Sequence, residues 1–301
     1  MDKTIEWLLQ GDASVQYLMH RDLLKSDEQT LSVLQQRAVR EGYVAEFLSL
    51  QNENGHWGLY YYQPKWTSTH YTLLDLKNLG ASDTLKPCID MVTRMLDECM
   101  DEKGGMNLSR NRHPSDICVN GMILNYASYF CGSEPRLNKL TDHLLSRQKS
   151  DGGFTWDIDS EKGEPHTTIC VLEGFRQYRL SGTGHRLRDI MHSEAEAAEF
   201  LLSNRLFAED ADKRFRKLSY PYYYRYDILR ALEYLSENAA PANARLRPYT
   251  DWLQGKRKKD GYWYLEHQHK GNVHFLMEET GKPSRFITLK ALCILSHYYS
   301  P

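Results

Sequence analysis

The stretch QKSDGGF at residues 148–154 decides how the rest of the chain is read. Its adjacent glycines, Gly152 and Gly153, mark a tight turn, because glycine reaches backbone conformations that other residues avoid. The stretch has counterparts in QNENGHW at 51–57, DEKGG at 101–105 and KKDGYW at 258–263. Gly55, Gly104 and Gly152 follow one another at 49 and 48 residues. A period of that size marks a repeated supersecondary unit. After each turn comes a short polar or aromatic loop and then a helical pattern, at 67–79, 115–130, 165–180, 222–235 and 284–298, with 12–24 as a sixth member. Thr67, Ser115 and Ser284 are the expected N-caps, since their hydroxyls can accept from the free N–H groups of a first turn.

Two-faced helices are predicted between these members, over 28–50, 84–100, 134–147, 188–203 and 243–256. One helix of each pair is apolar nearly all round, as in 169–175, and therefore belongs inside. About six helix pairs with no capping repeat at either end predict an all-α fold, an alpha/alpha toroid of inner and outer rings, as one domain over 1–301. Closure would bring the starts of the inner helices to one central mouth.

Composition narrows the function. The chain has 301 residues, with 38 Lys+Arg against 40 Asp+Glu. That balance argues against a general nucleic-acid binder, whose phosphate contacts need a basic excess. No apolar run approaches the length of a membrane span. The six cysteines contain no CxxC pair, and the N-terminus lacks the pattern of a secretory signal, so cytoplasmic thiols are expected. No GxxxxGKS/T, GxSxG or HExxH string occurs.

Asp116 and Cys118 open the third inner helix and His166 opens the fourth. A carboxylate, a thiolate and an imidazole on adjacent helix starts would make a three-ligand zinc site with one position open, the pattern of catalytic zinc. Each residue also has a plain structural reading, as a cap, a small core residue and a loop-bonded ring. His70 is placed by an inner helix as a base or supporting group. Aromatic residues crowd the loops that should line the mouth, including Trp57, Trp66, Trp156, Tyr222 and Tyr224. Such walls suit an isoprenoid chain or a sugar ring. Arg285, at the start of the last inner helix, is a candidate for an anionic group.

The strings DIC at 116–118, QKSDGGF at 148–154 and PHT at 165–167 together resemble the zinc-site segment of protein prenyltransferase beta subunits. The resemblance implies one zinc per chain held by Asp116, Cys118 and His166, and a metal-activated thiolate that attacks a prenyl diphosphate. It also implies that Arg110 holds the diphosphate. His113 stands where that family has a lysine, and Val119 where it has a tyrosine. The Gly-aromatic turns at 55–57 and 152–154 resemble those of squalene–hopene cyclases. The whole chain is similar to small bacterial squalene-cyclase-like and prenyltransferase-like proteins. The acid cluster of protonation-initiated cyclases has no counterpart: DIDS at 157–160 lacks the third acid.

The expected function is therefore a zinc-dependent, transferase-like enzyme acting on an isoprenoid or other hydrophobic substrate. His70, Arg110 and His113 are its expected catalytic residues, and the aromatic residues with Arg285 hold the substrate. A zinc hydrolase, a non-catalytic scaffold stapled by zinc, and a metal-free sugar-active toroid using Glu173, Asp227 and Asp157 are the alternatives. The sequence leaves open whether a partner subunit is needed.

Overall fold

The computed structural model describes residues 3–109, 112–132, 134–238 and 244–299. Among them are thirteen α-helices and no strand beyond isolated bridges. In chain order they are α1 (Lys3–Leu9), α2 (Ala13–Asp22), α3 (Glu28–Ala38), α4 (Gly42–Ser49), α5 (Thr69–Asn78), α6 (Lys86–Cys99) and α7 (Ile117–Cys131). There follow α8 (Arg136–Leu145), α9 (Pro165–Leu180), α10 (Leu187–Ser203), α11 (Ile228–Glu237), α12 (Arg247–Gly255) and α13 (Arg285–Tyr299). Among the described residues, no helix is long and apolar enough to cross a membrane.

Helices α2, α5, α7, α9, α11 and α13 form the inner ring of an alpha/alpha toroid. α5 packs on α7, α7 on α9, α9 on α11, α11 on α13, and α13 returns to α2. The ring closes where Gly80, just past α5, backs onto the Tyr17 ring of α2. The outer helices α6, α8, α10 and α12 cover this ring, and α3 and α4 cover α2. The closest crossing is α7 on α9. A Cβ built on Gly121 would lie 2.7 Å from the backbone of Cys170 and Val171, and one on Gly174 would lie 2.6 Å from Gly121 O. Only glycine permits that approach.

The repeated turns share one geometry. Gly55, Gly104, Gly152 and Gly261 all have φ between +82° and +95°, a region that penalises a Cβ. Each turn is then fastened to the inner helix that follows it. The side-chain oxygens of Thr69, Thr168 and Thr288 accept the N–H groups of Trp57, Phe154 and Trp263 at 3.1, 2.9 and 3.1 Å. Asn120 Oδ1 does the same for Met106 at 2.7 Å. Each acceptor satisfies one buried loop amide that would otherwise lack a partner. Thr168→Val should therefore lower stability by about 1–3 kcal/mol in urea denaturation, because it orphans the buried Phe154 N–H.

Some boundaries differ from expectation. The helix foreseen over 28–50 is two helices, because Gly42 takes φ +77° and Asp12 accepts the Tyr43 N–H at 3.0 Å. Asp116, not Ser115, caps α7, and Ser68, whose hydroxyl donates to Lys65 O at 2.8 Å instead of capping, precedes α5 in place of Thr67. Ser284 does accept an N–H of its helix, from Ile287 at 3.0 Å. The pattern over 222–235 becomes a helix only from Ile228, since Tyr223 sits at φ +53°.

Candidate functional site

The loops before α5, α7 and α9 enclose a groove of about 830 Å³ over the start of α7. This lies within the usual range for ligand pockets. One wall is apolar and open to solvent: Leu59 is 76 % exposed, Trp156 61 % and Ile158 54 %. Tyr60, Tyr62 and Val119 continue it. The groove is lined as well by the polar Arg112, His113, Asp116 and Asp157. An apolar surface of this kind rimmed by polar groups marks an interaction site. Arg110 lies outside the described residues.

Asp116 faces the groove and is exposed. Its Oδ1 accepts the Val119 N–H at 3.2 Å. Enclosure by the surrounding loops raises its carboxyl above the ordinary value, and the N–H groups of Val119 and Cys118 and the nearby Lys65 partly offset this. Glu164, the N-cap of α9, accepts from His166 N at 2.7 Å and Thr167 N at 2.5 Å, and its carboxyl is likewise raised by burial.

The expected zinc ligands do not form a ligand set as they stand. Among the described residues, no group of three or more His, Cys, Asp or Glu side chains is placed to hold a metal ion. Three local facts explain this. Cys118 is buried, and its Sγ lies 3.7 Å from Cys170 Sγ across the α7–α9 crossing. That contact and burial hold the thiol well above its ordinary pKa, so it stays protonated. His166 Nδ1 accepts the Tyr226 N–H at 2.8 Å, which leaves the proton of the neutral ring on Nε2 and no lone pair for a metal. Burial, with Arg225 and Arg230 nearby, pushes its pKa down to about 4, so the ring is neutral at pH 7. Asp116 is engaged as a cap. As placed, the three side chains serve a helix contact, a loop amide and a cap instead of converging on one point.

The other expected site residues scatter. His70 is fully buried, and its Nδ1 lies 3.1 Å from Tyr126 OH. Burial, with Lys65 nearby, pushes its pKa down to about 3, so it is a neutral core residue. Trp57 is wholly buried and donates through Nε1 to Phe47 O at 2.6 Å. It packs the loop onto α4. Trp66 stacks on Tyr223 at 4.5 Å and on Tyr224 at 6.0 Å. Lys65 Nζ stands 4.5 Å from the Tyr224 ring. The mouth foreseen at the N-terminal ends of the inner ring is thus packed with aromatic rings. Tyr222 points the other way, into a cavity at the C-terminal ends of the inner helices. Arg285 lies at the ring's seam, 4.4 Å above the Trp7 ring. Trp156 and His113 are the expected residues that do share the groove with Asp116.

The carboxylates of the sugar-active alternative are also apart. Asp157 lines the groove and Glu173 the cavity beneath the ring. Asp227 is buried and caps α11, accepting from Arg230 N at 2.9 Å. Sequence reading missed Asp75, buried on α5 with its carboxyl held well above the ordinary value by burial. An acid inside an apolar inner helix was its only signal.

No protein-family model matches the sequence, and no curated protein is similar to it. Among solved structures, the chain is similar to a protein from Actinoplanes, at 16% identity and a TM-score of 0.50, covering 96% of this chain and 91% of that one. It also matches type II terpene cyclase MstE from Scytonema, in complexes with merosterolic acid A and with geranylgeranyl dihydroxybenzoate. Identities there are 13% and 14%, over 84% of this chain and 94% of that one, at a TM-score of 0.35. The Actinoplanes likeness concerns the fold, and the cyclase likeness is too distant to bear on this chain's function.

Proposed function

We propose that the protein binds an isoprenoid-type or similarly apolar ligand in the groove over the start of α7 and acts on it as an enzyme. The observation that carries this reading is that the exposed Leu59, Trp156 and Ile158 share a groove of about 830 Å³ with Asp116 and His113. The apolar side chains would hold the apolar body, and the polar ones would hold the functional end. Acid–base work in such a ligand falls to Asp116 and His113, the titratable groups nearest that end. Cys118, buried against Cys170, does not line the groove.

The experiment is a fluorescence titration with farnesol, read through tryptophan emission. The parent protein should bind saturably. Trp156→Ala should weaken binding by about tenfold, the value of one large apolar contact removed from water. Asp116→Asn keeps the cap, since asparagine caps as well as aspartate, and should leave farnesol affinity nearly unchanged while abolishing turnover. Equal affinity in the parent and in Trp156→Ala would overturn the assignment of the groove.

A further inference from the structure

The six inner helices enclose a second cavity, of about 390 Å³, at their C-terminal ends. Its chemistry is opposite to that of the groove. Every carboxylate around it already has a cation. Asp22 pairs with Arg21 at 2.6 Å, Glu173 with Arg230 at 2.7 Å and Glu237 with Arg176 at 3.0 Å. Glu233 pairs with Lys290. One cation is left over. Lys77, on α5, lines the cavity and makes no hydrogen bond or ion pair among the described residues. The side-chain amides of Asn78 and Gln177, which line it too, are without a partner among the described residues. The rim carries Leu180, 59 % exposed, so the cavity communicates with solvent.

We infer that this cavity is a binding site for a small hydroxylated monocarboxylate, with Lys77 receiving the carboxylate and Asn78 and Gln177 the hydroxyls. Four cations, Arg21, Lys77, Arg176 and Lys290, line the cavity against four carboxylates, and Arg230 backs Glu173 from outside the lining. With Arg230 counted, one positive charge is left over, which a single carboxylate neutralises and a phosphate dianion would exceed. The free amides supply both donors and acceptors, which suit hydroxyl groups better than an apolar chain. Burial also pushes the Lys77 pKa down to about 8, with Glu173 opposing the shift, so the amine is still mainly protonated at pH 7.

The test is isothermal titration of the full chain with gluconate, sorbitol and inorganic phosphate. Gluconate should bind saturably, and sorbitol, the neutral counterpart, should not. Lys77→Met should weaken gluconate by about tenfold or more, the worth of a charge-assisted contact. Lys77→Arg should retain binding. Thermal melts establish that each variant is folded. If Lys77→Met unfolds, Asn78→Leu and Gln177→Leu carry the test, each expected to weaken gluconate. Absence of saturable binding by gluconate, sorbitol bound as tightly, phosphate bound more tightly, or an unchanged affinity in folded Lys77→Met would each overturn the inference. None of these outcomes touches the farnesol titration, so this site stands or falls apart from the groove.

Discussion

Gly121→Ala is expected to destabilise the protein by about 3 kcal/mol, the upper part of the range for overpacking a tight core. The added Cβ would meet Cys170 C and Val171 N at 2.7 Å and Cys170 O at 2.8 Å. These are backbone atoms of α9 and cannot turn aside as a side chain would. To admit the methyl group, α7 and α9 must separate along their whole contact, which also opens the space between Cys118 and Cys170. Gly255→Ala is the control, because nothing lies within 4 Å of its built Cβ. At that helix end the same change should be neutral or stabilising by up to about 1 kcal/mol. Urea unfolding of both variants checks the contrast. A loss below about 1 kcal/mol for Gly121→Ala would mean that the two helices do not cross as closely as described.

Glu173→Gln should cost about 3–5 kcal/mol, the range for breaking a buried pair from one side. Arg230 is 2 % exposed. Its guanidinium makes two bonds of 2.7 Å to Glu173 and also donates to Tyr223 O at 3.2 Å and Arg225 O at 2.8 Å. Without the carboxylate a buried charge remains, and it is the charge that fastens the aromatic segment before α11. Burial alone would raise the Glu173 carboxyl, but the charge and hydrogen bonds of Arg230 outweigh it and hold the group below its ordinary value. The pH dependence follows from that sign. The pair's contribution is fully present above the ordinary glutamate value of 4.5 and is lost as pH falls through the lower folded value. The stability gap between the parent and Glu173→Gln should therefore be constant near neutrality and shrink in acid. A gap that widened in acid would contradict this account.

The ring of helices was legible in the sequence because its punctuation is local. A glycine at positive φ announces a turn by residue type alone, and the 49- and 48-residue intervals from Gly55 to Gly152 carried the repeat. The fastening of each turn by Thr69, Asn120, Thr168 or Thr288 was less legible, since a hydroxyl or amide inside a helix has many other uses. What periodicity does not specify is rotation about the helix axis. Asp116, Cys118 and His166 do lie at the starts of neighbouring inner helices, as read. Yet Cys118 turns into the α7–α9 crossing and His166 toward the Tyr226 N–H. The same limit separates the aromatics. Trp156 stands at the groove, Trp57 is core, and Tyr222 faces the opposite end of the ring. Lys77, Glu173 and Lys290 lie on different helices, so only closure of the ring reveals that they meet.

The most direct measurement of the central claim is photocrosslinking with a diazirine-bearing farnesol analogue, followed by peptide mapping. The account predicts labelling within residues 59–62 and 156–158, suppressed by excess farnesol. Labelling that farnesol suppresses at the C-terminal ends of α5, α9 and α11, or labelling that farnesol leaves unchanged, would contradict it.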